Sequence, residues 1–211
     1  MSDGIQLVVF DLGRVLIRIC DGWQHACAVA GVSAAPKQLS DDAHRVIHAA
    51  MCAHEVGELD VDGFARTAAS HLGVSEADFV AMHNAYTIAP YAGTAALLDD
   101  LRAAGMPTAC LTNTNENHWR IMHALGPAQM PFERLTHCFA SHLLRLRKPD
   151  DAIYAHVEEA SGTAAAKILF FDDVEENITA AARRGWQAHR IAVDADPIAQ
   201  VRNHLRRHGI L

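Results

Sequence analysis

Short runs of apolar and β-branched residues alternate along the chain with longer segments whose apolar residues recur at helical spacing. The runs predict five strands, at residues 5–10, 107–112, 137–140, 167–171 and 188–193. Three of the helical segments, 94–104, 175–184 and 196–208, each end before a glycine, the residue that most readily adopts the conformation that ends a helix. This alternation predicts an α/β fold with a parallel sheet covered by helices.

The long stretch between the first two predicted strands shows no strand pattern. Helical patterns occur there near residues 21–30, 40–54, 61–72 and 75–86. We therefore expect an all-helical insertion at residues 18–90, set into an α/β core made of residues 1–17 and 91–211.

The composition is that of a soluble globular protein, since 50% of the 211 residues are hydrophobic and 20% are charged. The formal net charge of −7 disfavours a nucleic-acid partner, whose binding depends on cationic side chains. The five cysteines lack the spacing of a disulfide framework or a thiolate zinc site, and the apolar run near the N-terminus has no basic leader. We expect a cytoplasmic protein that does not associate with membranes.

Polar residues stand at the ends of three predicted strands and before one predicted helix. In chain order they are Asp11, Thr112, Asn113, Lys148, Asp172 and Asp173. Because ligands bind at the carboxyl ends of the strands in open α/β sheets, we expect these side chains to converge. Three converging carboxylates repel one another, by roughly 4 kcal/mol per pair at about 4 Å, and a hard divalent cation relieves that repulsion. Oxygen ligands completed by water and phosphate are typical of Mg²⁺.

Four segments carry these residues: VVFDLGRVL, LTNTN, RKP and FFDDVEEN. In this order and spacing they resemble the four motifs of the haloacid dehalogenase (HAD) superfamily of hydrolases. The predicted helical insertion stands where the C1 cap of subfamily IA lies. More narrowly, the segments are similar to those of α-D-glucose-1-phosphate phosphatases and of the N-terminal phosphatase domain of soluble epoxide hydrolase. The resemblance covers essentially the whole chain and implies a Rossmann-like core with a helical cap.

The resemblance implies a Mg²⁺-dependent phosphohydrolase that acts on a small phosphorylated metabolite through an aspartyl-phosphate. Asp11 would be the nucleophile that attacks phosphorus. Thr112, Asn113 and Lys148 would bind the phosphoryl oxygens, and Lys148 would also bridge the phosphate and Asp11.

The resemblance also implies a ligand set for the metal. Mg²⁺ would be held by Asp11, the backbone carbonyl of Gly13 and Asp173. Asp172 would be either a further ligand or a residue that supports the ligands from behind. Asn177 follows Asp173 by one helical turn and would hydrogen-bond into the site from behind.

The sequence departs from most phosphatases of the superfamily at Gly13, where they have a second aspartate that protonates the leaving group. Such acid–base catalysis contributes roughly 10²–10⁴-fold to the rate. A good leaving group, another proton donor or weak catalysis would each account for the glycine, and the resemblance favours a good leaving group, as in a sugar 1-phosphate. The alternatives are a 2-haloacid dehalogenase, whose halide leaves without a proton, and a catalytically weak binding or regulatory protein.

Several residues outside the four segments have candidate roles. Trp23 and His25 stand where the chain enters the insertion and could contact the leaving group, and His25 is also a candidate proton donor. Arg14 either reaches the phosphate or faces solvent. His44 and His48 are one helical turn apart, but no further ligand follows at a diagnostic spacing, so we expect them on a helix surface or in packing.

Overall fold

The computed structural model describes residues 4–33 and 36–211. Its strands are β1 (Leu7–Phe10), β2 (Ile17–Ile19), β3 (Thr87–Pro90), β4 (Thr108–Thr112), β5 (His137–Ala140), β6 (Ile168–Asp172) and β7 (Gln187–Arg190). Its α-helices are α1 (Trp23–Ala30), α2 (Asp41–Glu55), α3 (Val61–Leu72), α4 (Glu76–Asn84), α5 (Thr94–Ala103), α6 (Glu116–His123), α7 (Ser141–Leu144), α8 (Asp151–Ser161), α9 (Glu175–Arg183) and α10 (Pro197–Arg207).

Five strands form one parallel sheet in the order β5-β4-β1-β6-β7. The predicted α/β fold with a parallel sheet is thereby confirmed. β1 lies in the centre because β4 and β5 are added on one side of it, and β6 and β7, which come later in the chain, are added on the other side. The carboxyl ends of β1, β4 and β6 lie side by side at this reversal of strand order, which is where ligands bind in such sheets.

Helices cover both faces of the sheet because its central strands are apolar on both sides. Val8 and Phe10 of β1 belong to the core shared with α5 and α10, whereas Leu7 and Val9 belong to the core shared with α8 and α9. Phe10 also stacks on Phe171 of β6, with ring centroids 5.7 Å apart. This packing on two sides fixes the strand ends that carry the polar residues.

The helical insertion, α1 to α4, has hydrophobic cores of its own. Phe64, Leu72 and Phe79 are buried where α2, α3 and α4 meet, and Cys27 and Met82 are buried where α1 meets α4. The four helices lie at the four predicted positions, and α3 has the predicted bounds. No helix within the described ranges has the length and apolar character needed to cross a bilayer.

The expectation that this stretch is all helical is wrong at its two ends. β2 and β3 pair there in antiparallel orientation, with Ile17 opposite Pro90 and Arg18 opposite Ala89. The strands have three and four residues, too few to show a clear pattern in the sequence, and they form by pairing across the whole insertion. They therefore hold the entrance and the exit of the insertion together beside the carboxyl end of β1.

Candidate active site

Lys148 is buried between two carboxylates at the carboxyl ends of the central strands. Its Nζ donates to Asp11 Oδ1 at 2.8 Å and to Asp172 Oδ2 at 2.6 Å. Asp11 directly follows β1, Asp172 ends β6, and Lys148 comes from the loop between α7 and α8. The Lys148 side chain is only 1% exposed and that of Asp172 is fully buried, so this group of charges is shielded from solvent.

Burial and neighbouring charges shift the pKa values of this group. Burial raises the pKa of Asp11 to about 7, an effect that Lys148 opposes and Asp172 reinforces. Burial alone would lower the pKa of Lys148, but the charges of Asp11 and Asp172 raise it above its ordinary value. Lys148 therefore stays protonated at neutral pH, whereas Asp11 needs additional positive charge nearby to be fully ionised.

The carboxylate of Asp172 is held on every side by hydrogen-bond donors. The backbone N–H of Val174 donates to Oδ1 at 2.8 Å, and Asn177 Nδ2 lies 3.1 Å from Oδ1 and 3.0 Å from Oδ2. Lys148 is the remaining donor. Because both of its oxygens already accept hydrogen bonds, Asp172 is suited to orienting Lys148 and Asn177. Of the two adjacent carboxylates, Asp173 has fewer hydrogen-bond donors around it and is therefore better placed to accept a metal ion.

Asp11, Asp172 and Asp173 form a cluster in which one oxygen of each lies within 4.8 Å of the others. Burial raises the pKa of Asp173, and Asp172 adds to this effect, while Arg14, whose Nη1 is 3.7 Å from Asp173 Oδ2, opposes it. Three carboxylates around one lysine leave an excess of negative charge that a divalent cation with a preference for oxygen ligands would compensate. The donor set therefore fits Mg²⁺.

Asn113 contributes to this site in a way that the sequence did not reveal. Its side-chain Nδ2 donates to the Lys148 carbonyl and its Oδ1 accepts from the Lys148 backbone N–H, both at 2.9 Å. The side chain thus positions the loop that carries Lys148, and binding of an anion by Asn113 would use its backbone N–H. Thr112 is buried beside it as the last residue of β4 and lines the same cavity.

The residue before Lys148 connects this loop to the helical insertion. Arg147 donates from Nε at 3.2 Å and from Nη2 at 2.9 Å to Glu55 Oε2, at the end of α2. Ser141 Oγ donates to the Glu55 carbonyl at 2.6 Å. The end of α2 therefore lies directly against the lysine loop, and the Glu55 carboxylate is engaged by Arg147.

Space does not require the glycine at position 13. A Cβ at Gly13 would lie 3.4 Å from Ile19 Cδ1 and 3.9 Å from Asp11 Oδ2, which are ordinary contact distances, and its φ lies outside the left-handed region. The packing around this position would therefore accept a Cβ, so the glycine has no steric explanation at that atom.

A cavity of about 510 Å³ lies between the strand ends and the helical insertion. Asp11, Lys148 and Asp173 line it on the sheet side. The facing wall combines polar residues, among them several histidines, with apolar and aromatic side chains, which include Trp23, Leu39, Ile47, Met51, Phe64 and Tyr86. Its volume is in the range of about 300–1,000 Å³ that is typical of small-molecule sites.

Of the two residues predicted to contact the leaving group, Trp23 lines this cavity and His25 does not. His25 Nδ1 instead accepts a hydrogen bond from the Asp21 N–H at 3.1 Å, and its side chain is 42% exposed. The structure therefore does not support the expectation that His25 contacts the substrate or donates a proton to it. Arg14 lines the cavity and lies beside Asp173. Its side chain is therefore only partly exposed to solvent.

No site role was predicted for five histidines that line the cavity: His44, His48, His54, His83 and His118. The first three lie on α2. Together with Ile47 and Met51 they recur every three or four residues, the spacing of residues on one face of a helix. This periodicity in the sequence could have indicated that they share a face. His83 and His118 belong to α4 and α6, and their rings stack with centroids 4.1 Å apart. Only the folded chain brings those two together.

Residues 5–185 match the family described as haloacid dehalogenase-like hydrolase, a span that includes all four segments VVFDLGRVL, LTNTN, RKP and FFDDVEEN. The chain belongs to this family. The resemblance seen in the sequence is thereby confirmed at the level of the family, while its narrower branch stays a prediction.

Individual relatives of this HAD-like hydrolase include the sesquiterpene phosphatase astK of Aspergillus oryzae, 30% identical over 129 residues that cover 60% of this chain and 64% of that protein. The match thus spans less than two thirds of the relative. A HAD family enzyme of Bacteroides thetaiotaomicron, solved with magnesium and inorganic phosphate, has a TM-score of 0.73 at 22% identity over 92% of this chain and 97% of its own. L-2-haloacid dehalogenase from Xanthobacter autotrophicus has a TM-score of 0.64 at 21% identity, over 95% and 82% of the two chains. The two structures establish the shared fold.

Proposed function

We propose that this HAD-like hydrolase is a Mg²⁺-dependent phosphatase that releases phosphate from a small phosphorylated metabolite. The observation that carries the proposal is the buried group of Asp11, Lys148, Asp172 and Asp173 at the sheet side of the cavity. A carboxylate nucleophile, a permanently charged lysine and carboxylates for a metal are the components that in-line phosphoryl transfer requires. The similarity to a protein named as a phosphatase supports the same chemistry.

Asp11 is the nucleophile in the proposed reaction. A carboxylate oxygen of Asp11 attacks phosphorus, the bond from phosphorus to the ester oxygen breaks on the opposite side, and Asp11 carries the phosphoryl group as an acyl phosphate. The ester oxygen keeps the electron pair of the broken bond and takes a proton from water, so that the alcohol leaves. Water then attacks that phosphorus, which restores the Asp11 carboxylate and releases inorganic phosphate. Lys148 holds Asp11 Oδ1 in place during both steps and neutralises developing negative charge.

The remaining residues bind and orient the phosphoryl group. The Thr112 hydroxyl and the Asn113 N–H donate hydrogen bonds to its oxygens. Asp11, the Gly13 carbonyl and Asp173 would hold Mg²⁺, which would supply positive charge beside the phosphate. Asp172 and Asn177 stand behind these groups and fix the position of Lys148.

The helical insertion is proposed to act as a cap, with residues 18–90 as the cap and residues 1–17 and 91–211 as the catalytic core. Two features support this division: the insertion has its own hydrophobic cores, and its wall faces the charged group across the cavity. A cap in this position excludes bulk water from the acyl phosphate and selects the alcohol that fits.

The alcohol part of the substrate would lie against the apolar wall. The sequence resemblance favours a sugar phosphate, whereas the named relative is a sesquiterpene phosphatase. The carboxylate on this wall, Glu55, is already engaged by Arg147. The rest of the wall combines aliphatic and aromatic side chains with several histidines and Thr87. The aliphatic and aromatic part supports an alcohol with a large apolar portion, since sugar hydroxyls placed against it would lose hydrogen bonds to water.

The proposal is tested by a phosphatase screen in Mg²⁺ that compares the wild-type protein with Asp11→Asn. Terpenoid and alkyl phosphates, sugar 1-phosphates, sugar 6-phosphates and p-nitrophenyl phosphate form the panel. Phosphate release by the wild type alone supports the proposal. Equal blanks for both proteins would indicate a binding or regulatory protein, and turnover of 2-haloacids in EDTA without phosphate release would indicate a dehalogenase.

A further inference from the structure

Arg14 is a cation at the cavity whose charge the proposed reaction does not use. Its Nη1 lies 3.7 Å from Asp173 Oδ2, beside the carboxylate cluster, and its side chain is 32% exposed, so a ligand in the cavity can reach it. Among the described residues that line the cavity, the lysines and arginines are Lys148 and Arg14. Lys148 is already held by two carboxylates, so Arg14 is the cation that remains for a ligand.

The neighbours of Arg14 place it between the two sides of the cavity. Burial raises the pKa values of Asp173 on the sheet side and of Tyr86 on the facing wall, and the charge of Arg14 opposes the rise in both. Arg14 also directly follows Gly13, where a Cβ would lie 3.9 Å from Asp11 Oδ2. The guanidinium therefore borders the charged group on the side of the wall against which the alcohol would lie.

The ion pairs of Arg14 leave donors for an anion. The contact with Asp173 and a second one, 3.3 Å from Nη2 to Asp21 Oδ1, are both longer than the about 2.7–2.9 Å of a strong charge-assisted hydrogen bond. The Asp21 side chain is 76% exposed, so it can turn into solvent when an anion approaches. The remaining N–H groups of the guanidinium form a planar fork that matches the oxygens of a phosphate.

Among the described residues, those around Asp11 offer no acid to protonate a departing alcohol. Lys148 and Arg14 are permanently charged, Asp173 is a proposed metal ligand, and position 13 is a glycine. An alkoxide leaves poorly without a proton. A phosphate monoester leaves as a stable anion, because its second ionisation has a pKa of about 6. A leaving group that is itself a phosphate therefore needs no acid and is an anion that Arg14 can bind.

We propose that Arg14 binds the inner phosphate of an alkyl diphosphate, so that the substrate class is the diphosphate ester of an alcohol with a large apolar portion. This inference rests on the proposed phosphatase function. Asp11 attacks the terminal phosphorus, the bond from that phosphorus to the bridging oxygen breaks, and the bridging oxygen keeps the electron pair as part of an alkyl monophosphate. No proton is transferred in this step. The guanidinium of Arg14 binds the departing monophosphate and neutralises the charge that it gains.

The test compares n-decyl diphosphate with n-decyl phosphate in the presence of Mg²⁺. The ratio of their kcat/KM values in the wild-type protein measures the preference for the diphosphate. We expect a ratio of about a hundred or more, because the acid catalysis that the monophosphate needs contributes roughly 10²–10⁴-fold. The first products of the diphosphate should be decyl phosphate and inorganic phosphate in equal amounts. A ratio near one, or release of decanol with inorganic pyrophosphate, would overturn the proposal.

Arg14→Asn removes the cation and keeps the backbone, because Arg14 has a φ of 56° and asparagine adopts this left-handed conformation more readily than most side chains. The variant should lower kcat/KM for the diphosphate about ten- to a hundredfold more than kcat/KM for the monophosphate, as expected for lost hydrogen bonds to a charged group. Arg18→Asn is the matched control, since Arg18 is exposed on β2, and it should keep the wild-type ratio. An equal loss for both substrates in Arg14→Asn, or an equal fall of the ratio in both variants, contradicts the proposal.

Binding to Asp11→Asn separates this inference from the proposed function. Calorimetric titration of Asp11→Asn, and of the double variant Asp11→Asn/Arg14→Asn, with both decyl compounds reports recognition of the inner phosphate without turnover. If both proteins prefer the diphosphate equally while the wild type releases phosphate, the role of Arg14 is refuted and the phosphatase stands. If only Asp11→Asn prefers the diphosphate while the wild type releases no phosphate, the binding role of Arg14 stands and the phosphatase is refuted.

Discussion

The charge balance of the site depends on a single residue, Lys148, which is the buried cation between Asp11 and Asp172. Either carboxylate left buried without it would be costly, since removing one partner of a buried ion pair typically destabilises a protein by about 3–5 kcal/mol. The same ammonium group lowers the pKa of Asp11, so it also favours the ionised form that a nucleophile needs.

Lys148→Met is therefore expected to reduce both activity and stability. We expect kcat/KM to fall by about 10²–10³-fold, as when one preorganised donor to a transition state is removed, and the free energy of unfolding to fall by about 3 kcal/mol. Phosphate release and urea unfolding measure the two effects. Lys167→Met is the matched control, because Lys167 directly precedes β6 at the end of the sheet opposite the site. This variant should retain activity. Retained activity in Lys148→Met would contradict the role given to Lys148.

Gly13 offers a second test at the scale of one residue, because its surroundings leave room for a Cβ. In the proposed reaction a carboxylic acid at this position would protonate the leaving alcohol, and Gly13→Asp supplies one. We expect kcat/KM to rise about ten- to a hundredfold for alkyl phosphates, whose alcohols leave poorly, and to change little for p-nitrophenyl phosphate. Gly13→Ala controls for the added Cβ. An equal change for both leaving groups would argue against a missing acid.

At the scale of elements, the contact between α4 and α6 links the insertion to the core and is sensitive to pH. Burial lowers the pKa of His83 to about 2 and that of His118 to about 4, each from 6.5 in the unfolded chain. Below pH 6.5 the unfolded chain takes up protons that the folded chain does not, so the stability contributed by these rings is complete above pH 6.5 and is lost as the pH falls.

The free energy of unfolding should consequently decrease by about 2 kcal/mol between pH 6.5 and pH 4 on account of His118 alone. Urea unfolding at several pH values in this window measures the slope. His83→Phe removes one of the two contributions and should make the slope shallower. An unchanged slope in this variant would show that His83 is not buried in its neutral form.

Helices were the elements that could be predicted best, because their signals are local. Gly105, Gly185 and Gly209 have positive φ where they end α5, α9 and α10, as their positions in the sequence indicated. The strands of the sheet were predicted to within a few residues, since β1, β4 and β6 are apolar runs; β7, with the sequence QAHR, lies at the polar start of the run predicted at residues 188–193. β2 and β3 could not be predicted, because three or four residues become a strand only through a partner that lies about seventy residues away in the chain, with Ile17 opposite Pro90.

At the scale of the whole molecule, the charged group could be predicted from the sequence and the cavity could not. Parallel strands bring their carboxyl ends to one edge, so the convergence of Asp11 and Asp172 follows from the fold class alone. The cavity depends on how α2 and α4 lie over that edge, which is set by long-range contacts such as Glu55 with Arg147. The wall that faces the charged group therefore became visible only in the folded chain.

The proposed metal dependence belongs to the assembled site, since the proposed ligands come from the residues that follow β1 and β6. EDTA should abolish phosphate release, and Mg²⁺ should restore it. Asp173→Asn should weaken Mg²⁺ binding more than tenfold, because it removes a charged ligand at a site with few protein ligands. Isothermal titration with Mg²⁺ measures the change, and Asp194→Asn, in the loop after β7, is the control. Full activity in EDTA would contradict the metal site.

The most direct test of the central claim is to find the phosphoryl group on Asp11. The wild-type protein is mixed with substrate and Mg²⁺, quenched in acid before one turnover is complete, and digested for mass spectrometry. We predict a phosphoryl group on the peptide that contains Asp11, and none in Asp11→Asn treated in the same way. Phosphate release by the wild type with no phosphoryl group on that peptide at any quench time would contradict the account.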